Sequence, residues 1–280
     1  MPEKKPAGVG PKKSQSVVKM ALNEKGEVIY RREGVVGGSR FAAGAAVEAV
    51  NRIKTGISGF DELLEGGIPR GSTTLIAGGC GSGKSIFCMQ ALVNGAALYG
   101  EPGVYITFEE LPESMRAAGA MFGWKIEALE KRKLLKIIFK DPYEIKDFSK
   151  TLSGELYYTL RDINAKRVVI DSITYLGSTA ATTYEVRKTV ATLARRLKEI
   201  GCTTFLVSEI PEGGAGVGRY GMEEFVSDGV INLHNILIKD TRQRAVEILK
   251  MRRTKHDTLL HPFRIDDKGI TVFPHEQVFK

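Results

Sequence analysis

Residues 73–85 read TTLIAGGCGSGKS, and their reading decides the fold. Thr73–Ala77 is a short apolar run with the character of a buried strand. Gly78-Gly79-Cys80-Gly81-Ser82-Gly83-Lys84-Ser85 then satisfies the phosphate-loop pattern G-x-x-x-x-G-K-[ST] at every position. The segment Ser85–Tyr99 reads as a helix. A glycine-rich turn between a strand and a helix start is a cradle for anionic oxygens. Glycine lets successive backbone N–H groups turn inward, and the helix N-terminus adds its partial positive charge. On this reading Lys84 reaches the β- and γ-phosphates of a nucleotide and Ser85 supplies an oxygen to Mg²⁺. Cys80 fits as a small residue tolerated within the loop.

Outward from the loop, strands and helices alternate. Gly103–Phe108 is expected as a strand, followed by a helix from Pro112 to Phe122. Leu134–Phe139 and Arg167–Ile170 are further strands, the second short and β-branched as a doubly buried strand should be. Val186, Val190, Leu193, Leu197 and Ile200 recur at helical spacing, and Gly201 is a good stop for that helix. Thr203–Val207 is the next strand. Strands separated by helices pair in parallel. After Gly229 the rhythm changes: Val230–Ile238, Ala245–Met251, Pro262–Ile265 and Ile270–Phe273 read as strands without helices between them. Asp266–Gly269 has the composition of a tight hairpin turn. The expected fold is a parallel α/β core finished by an antiparallel meander.

The 280 residues suffice for one large domain or two small ones. With 42% hydrophobic and 26% charged residues, the chain as a whole is neither disordered nor fibrous. It has no run of about 18 apolar residues to span a membrane, and its polar start lacks a secretory core. Cys80, Cys88 and Cys202 are too sparse for a metal or disulfide framework and read as reduced thiols of a cytoplasmic protein. No internal repeat is visible. Residues 1–40 hold nine Lys/Arg against four Asp/Glu, so most of the net charge of +8 sits there. Residues 1–16 are expected to be disordered. Glu27–Arg32 has the look of a short strand, and Phe41–Val50 has the alanine content of a helix. The expected division is a basic N-terminal extension, 1–51, and a domain, 52–280.

Three further stretches carry chemistry. Arg167–Ser172 ends a buried strand in Asp171, as expected of a residue that holds Mg²⁺ through water. Glu109-Glu110 follow the strand ending at Phe108. A carboxylate there is placed to orient water in line with a γ-phosphate. Lys250-Met251-Arg252-Arg253-Thr254-Lys255-His256 is a basic run in which Lys250 and Arg252 fall on the same side of a strand.

From Arg52 to about Pro274 the chain resembles the KaiC family within the RecA-like ATPases. The resemblance is carried by Thr55-Gly56-Ile57-Ser58-Gly59-Phe60-Asp61, the phosphate loop, Thr107-Phe108-Glu109-Glu110, Phe122-Gly123-Trp124, Ile170-Asp171-Ser172, Arg219-Tyr220-Gly221, Glu223–Asp228 and the run Lys250–His256. It implies a RecA-like phosphate-loop fold and a homo-oligomeric ring, typically a hexamer, that binds ATP and Mg²⁺ between subunits and hydrolyses ATP to ADP and phosphate. Gly79, Cys80, Gly81, Ser82, Gly83, Lys84, Ser85 and Ile86 would bind nucleotide in cis, with Glu109, Glu110 and Asp171. Lys250, Met251, Arg252, Thr254 and His256 would reach the neighbouring subunit's ATP, with Arg252 or Lys250 as the cationic finger and Asp267 beside the same nucleotide. The family's namesake has two such domains and an autophosphorylated Ser–Thr pair. This chain has one domain, with Glu224-Phe225 at the pair's place, so autokinase activity is not expected.

The output stays open between two classes. One is an ATP-gated scaffold for a signalling partner. The other is a single-stranded-DNA-binding recombination or repair factor like the RadA paralogues, or a partner of such proteins. In such a ring Tyr175–Thr183 and Pro211–Met222 would face the pore, and Arg219 and Tyr220 would offer a cation and a stacking surface.

Overall fold

Thr73–Gly78 is a strand in which every residue is buried, and its position orders the rest of the sheet. The computed structural model describes residues 17–22, 28–33, 49–141, 154–177, 182–211 and 217–278. It comprises two units, Met1–Ala49 and Val50–Lys280.

In the first unit β1 (Val17–Leu22) pairs antiparallel with β2 (Val28–Glu33). β2 matches the expected strand within a residue, whereas β1 has no counterpart in the sequence reading. The expected disorder of residues 1–16 and all but the end of the expected helix Phe41–Val50 lie outside the described residues.

The second unit opens with the two-residue strands β3 (Arg52–Ile53) and β4 (Ile68–Pro69). There follow β5 (Thr73–Gly78), α1 (Lys84–Tyr99), β6 (Gly103–Thr107), α2 (Pro112–Met121), α3 (Ile126–Lys131) and β7 (Leu135–Phe139). Next come α4 (Glu155–Asp162), β8 (Arg167–Asp171), α5 (Thr183–Ile200), β9 (Thr203–Glu209) and α6 (Glu223–Val226). β10 (Gly229–Ile238), β11 (Thr241–Met251), β12 (His261–Asp266) and β13 (Gly269–Val272) complete the chain. The sheet order is β13-β12-β11-β10-β5-β9-β8-β6-β7. Pairing is parallel from β10 to β7 and antiparallel from β10 to β13. The parallel core and the terminal meander are thus as expected. Asp266 pairs with Gly269, so the hairpin turn is also where the composition put it.

The parallel strands alternate between two cores. Ile76, Tyr105, Val169 and Phe205 face a layer built with α1, α2 and α3. Leu75, Val104, Ile106, Val168 and Leu206 face a layer built with α4 and α5. Coverage on both sides explains why these strands read as unbroken apolar runs. α5 ends where Gly201 turns left-handed, at φ +90°. Among the described residues, no helix is long and apolar enough to cross a membrane.

One buried charge departs from the expected apolar β8. Arg167 opens that strand with no exposed surface. Its guanidinium donates to Glu101 Oε2, to the Ala91 carbonyl at 2.8 Å and to the Lys54 carbonyl at 2.8 Å. Glu101 also pairs with Arg70. Burial alone would raise the Glu101 carboxyl, but hydrogen bonds from Arg70 and Arg167 hold it below its ordinary value. Gly95, inside α1, makes room for this guanidinium: a Cβ there would lie 2.5 Å from Arg167 Nε. Helix propensity alone makes Gly→Ala stabilising by about 1 kcal/mol. Here we predict the opposite sign: Gly95→Ala lowers the thermal unfolding midpoint, and a raised midpoint would contradict the packing of Arg167.

Candidate active site at the strand ends

The C-terminal ends of the parallel strands bring the expected residues to one edge. Gly78 pairs with Glu209, and Thr107 pairs with Asp171. The phosphate loop leaves β5 at this edge. Gly81 and Gly83 hold φ +68° and +94°, which side chains with a Cβ rarely adopt. At Gly78 a Cβ would meet the Leu233 carbonyl and Ser82 Oγ at 2.4 Å each, so the loop can close onto β10 only with glycine there. Lys84 Nζ donates to the Gly79 carbonyl at 3.0 Å, which keeps the ammonium over the loop. Ser82 is buried, Ile86 packs against the core, and Cys80 is an exposed free thiol.

The meander also touches the loop. Asn235 Nδ2 donates to the Cys80 carbonyl at 3.3 Å, and Arg244 Nε donates to the Gly81 carbonyl at 3.2 Å. Arg244 is therefore a cation beside the phosphate cradle that the sequence reading leaves unassigned. Its position in an arginine-bearing strand far along the chain gives no local signal of this.

Ser85 Oγ donates to Asp171 Oδ2 at 2.7 Å, and the Tyr105 hydroxyl donates to the same oxygen. Burial raises the Asp171 carboxyl, against the hydrogen bonds from Tyr105 and Ser85 and the charge of Lys84. A serine hydroxyl beside one carboxylate is a hard-oxygen donor set. Mg²⁺ is commonly held by one or two carboxylates together with substrate phosphates and water. Among the described residues, no group of three or more His, Cys, Asp or Glu is arranged to hold a metal alone. The residues present thus fit a cation that arrives with a phosphate.

The two glutamates after β6 are separated by their surroundings. Thr107 Oγ1 accepts from the amides of Glu109 at 3.3 Å and Glu110 at 3.0 Å, which shapes the turn. Although Glu109 is exposed as a residue, its carboxyl is partly desolvated. That desolvation, then the charges of Glu209, Asp171 and Glu110, raise it above its ordinary value, while Lys84 opposes them. The Glu109 carboxyl therefore lies within the electrostatic reach of Lys84 and Asp171. Glu209 carries the same sequence signal as Asp171, an acid closing a buried strand, and is a further member of the site.

The basic run lies elsewhere in the chain's own fold. Met251 pairs with Gly229, and Gly229 pairs with Thr74 at the opposite end of β5 from the loop. Four strand steps lead from Thr74 to Gly78, about 13 Å. Lys250 Nζ donates to the carbonyls of Glu224 and Ser227 at 3.0 and 2.7 Å, and Arg252 pairs with Asp228 at 3.1 Å. Met251 is buried in its own core against Gly229, so only its backbone is available to another molecule. Thr254 Oγ1 accepts from Arg52, and the His256 ring contacts the Asp257 carbonyl at 2.8 Å. Asp267 is exposed at the tip of the β12–β13 hairpin, which Gln90 of α1 holds through both backbone groups of Ile270. Within one chain, then, the basic run does not join the phosphate loop, whereas the β12–β13 hairpin that carries Asp267 packs Ile265 and Ile270 beside Gly83 of the loop.

Arg219 is exposed, but Tyr220 is not a free stacking surface. Its ring packs against the second core, and its hydroxyl donates to the Thr174 carbonyl at 2.5 Å. The buried Glu223 carboxylate accepts from the Tyr220 and Met222 amides and from Ser208, fixing this turn from inside. Parts of both expected pore loops, 178–181 and 212–216, lie outside the described residues.

Comparison with known proteins gives a consistent result. The family model described as "ATPase: KaiC" matches residues 53–277. The circadian clock oscillator protein KaiC of Parathermosynechococcus lividus is 40% identical over 235 residues, covering 81% of this chain and 43% of that protein. KaiC of Synechococcus elongatus is 39% identical over 234 residues, covering 81% and 45%. The chain thus spans about half the length of these relatives. The crystal structure of a KaiC-like protein from the hyperthermophilic archaeon Pyrococcus horikoshii OT3 superposes with a TM-score of 0.72 at 40% identity, covering 80% of this chain and all of that one.

The site geometry makes a prediction independent of any reaction. Lys84 is the cation that lowers the raised Glu109 carboxyl. Lys84→Ala should therefore move the Glu109 titration midpoint further up, as read by NMR of the side-chain carboxyl carbon. An unmoved midpoint would show that the Lys84 charge does not act on the Glu109 carboxyl.

Proposed function

The chain belongs to the KaiC ATPase family, and from that premise we propose that it hydrolyses ATP to ADP and phosphate at sites shared between copies of itself. The observation that carries this reading is the hydrogen bond from Ser85 in the phosphate loop to Asp171 at the end of β8. It puts the metal-side oxygens under the loop that cradles the phosphates. Mg²⁺, when bound, neutralises charge on the β- and γ-phosphates. The loop amides and Lys84 hold the phosphates, while Ser85 and Asp171 hold the cation's side of the site. Glu109, whose carboxyl feels the charges of Lys84 and Asp171, is the group that orients the attacking water and takes its proton.

Sharing is supported by the distance within one chain. Lys250 lies level with Leu75 through Val230, and Arg252 level with Thr73 through Asp228, in the half of β5 away from their own loop. A cation fixed there stabilises transition-state charge by reaching the nucleotide of a neighbouring copy. A closed homo-oligomeric ring, hexameric in our reading, gives every loop such a neighbour. Nucleotide state then changes the interface and with it the binding of a partner. The ATPase unit is residues 52–280, in line with the compact unit Val50–Lys280 and the family match over 53–277. The engaged Tyr220 ring gives no support to a base-stacking role.

The test uses two variants, each inactive alone. Glu109→Gln keeps shape and removes the base, so hydrolysis should fall roughly a hundredfold. Arg252→Ala removes the cation given to the neighbour. Mixed oligomers of the two should regain activity, because some interfaces pair an intact Glu109 with an intact Arg252. Persistent inactivity in oligomers shown to be mixed would contradict a shared site.

A further inference from the structure

We propose that Tyr105 is a positioning residue for the metal side of the site: its hydroxyl fixes the Asp171 carboxylate in the orientation that receives Mg²⁺. This rests on the nucleotide-site reading above and adds a residue outside the phosphate loop and its acids. Tyr105 lies in the middle of β6 with no exposed surface. It pairs with Val169 of β8, so Asp171 stands two residues further along on the same face. A diagonal cross-strand neighbour is within reach of an aromatic side chain. A tyrosine in an apolar layer needs a partner for its O–H, and Tyr105 finds it in Asp171 Oδ2.

That oxygen also accepts from Ser85. Two donors on one carboxylate oxygen restrict both its rotation and its tilt. Among the described residues no donor reaches the other oxygen, Oδ1, which stays available to the metal side. The two donors differ in what else they face. Ser85 opens α1 at the phosphate loop and must divide its oxygen between Asp171 and a cation. Tyr105 is sealed in the core layer beneath and has no route to the phosphates. Its restraint on Asp171 is therefore present whether or not nucleotide is bound. Partners of this kind behind a metal-binding group typically alter metal affinity by roughly tenfold to a hundredfold.

The experiment measures binding of a fluorescent ADP analogue to the full chain during Mg²⁺ titration, and separately in EDTA. Tyr105→Phe keeps the ring and removes the donor. Tyr105→Met is a second donor-free variant in case Phe disturbs the packing. Either should raise the Mg²⁺ midpoint roughly tenfold or more and leave affinity in EDTA at the parental value. In an Asp171→Asn background Tyr105→Phe should add no further shift. An unchanged midpoint in both Tyr105 variants, or an equal loss of affinity in EDTA, would overturn the proposal. Should Asp171→Asn itself leave the Mg²⁺ midpoint unchanged, the site reading beneath it fails, and that result is distinct from a failure confined to Tyr105.

Discussion

The hydrogen bond from Ser85 to Asp171 joins the first turn of α1 to the end of a strand that is not its neighbour in sequence. The contact exists only because the sheet order inserts β8 and β9 between β5 and β6. The chain leaves β5, runs along α1 and returns as β6 on the far side of strands that come later. α1 therefore lies across β8, and the loop at its start overhangs the carboxylate at the strand's end. In an open α/β sheet, ligands bind beyond the carboxyl ends of the strands, where the order of connections reverses. Here the reversal falls at β5, since the chain passes from β9 to β10 on its other side.

β8 holds α1 at two places, its first turn and its middle. Asp171 takes the Ser85 hydroxyl at the site, and Arg167, four residues earlier, takes the Ala91 carbonyl and occupies the notch left by Gly95. The first contact is exposed to events in the loop. The second is buried and cross-linked through Glu101 to Arg70. Loss of one partner from a buried ion network leaves an uncompensated charge, which is strongly destabilising. The second half of the helix is thus held from within the core by a buried ion network, independently of the loop end.

Much of this was legible in the sequence, and for stated reasons. The phosphate-loop pattern marks a strand, a turn and a helix at once, and β5 and α1 lie within a residue of that reading. The apolar runs of β6, β8 and β9 and the capping Gly201 are local signals that the structure keeps. The short helices α3 and α4 escaped because six or eight residues carry too few turns to show a period. Arg167 and Tyr105 escaped for another reason. A charged or hydroxylated residue at a strand position says nothing about burial until its partners are known, and Glu101 and Asp171 are 66 residues away from them. Arg244 and Asn235 meet the loop through the register of β10 on β5, which no local pattern specifies. Glu209 could have been found, since it closes its strand as Asp171 does.

In the proposed mechanism the Ser85–Asp171 pair and a second copy's basic run act on one nucleotide. A crystal structure of the assembled protein with Mg²⁺ and a non-hydrolysable ATP analogue tests it most directly. The expected result is the cation against Ser85 Oγ, and Lys250 or Arg252 of an adjacent copy at hydrogen-bonding distance from the γ-phosphate, roughly 3 Å. A γ-phosphate with no residue of another copy near it, or a cation held away from Ser85 and Asp171, would contradict it.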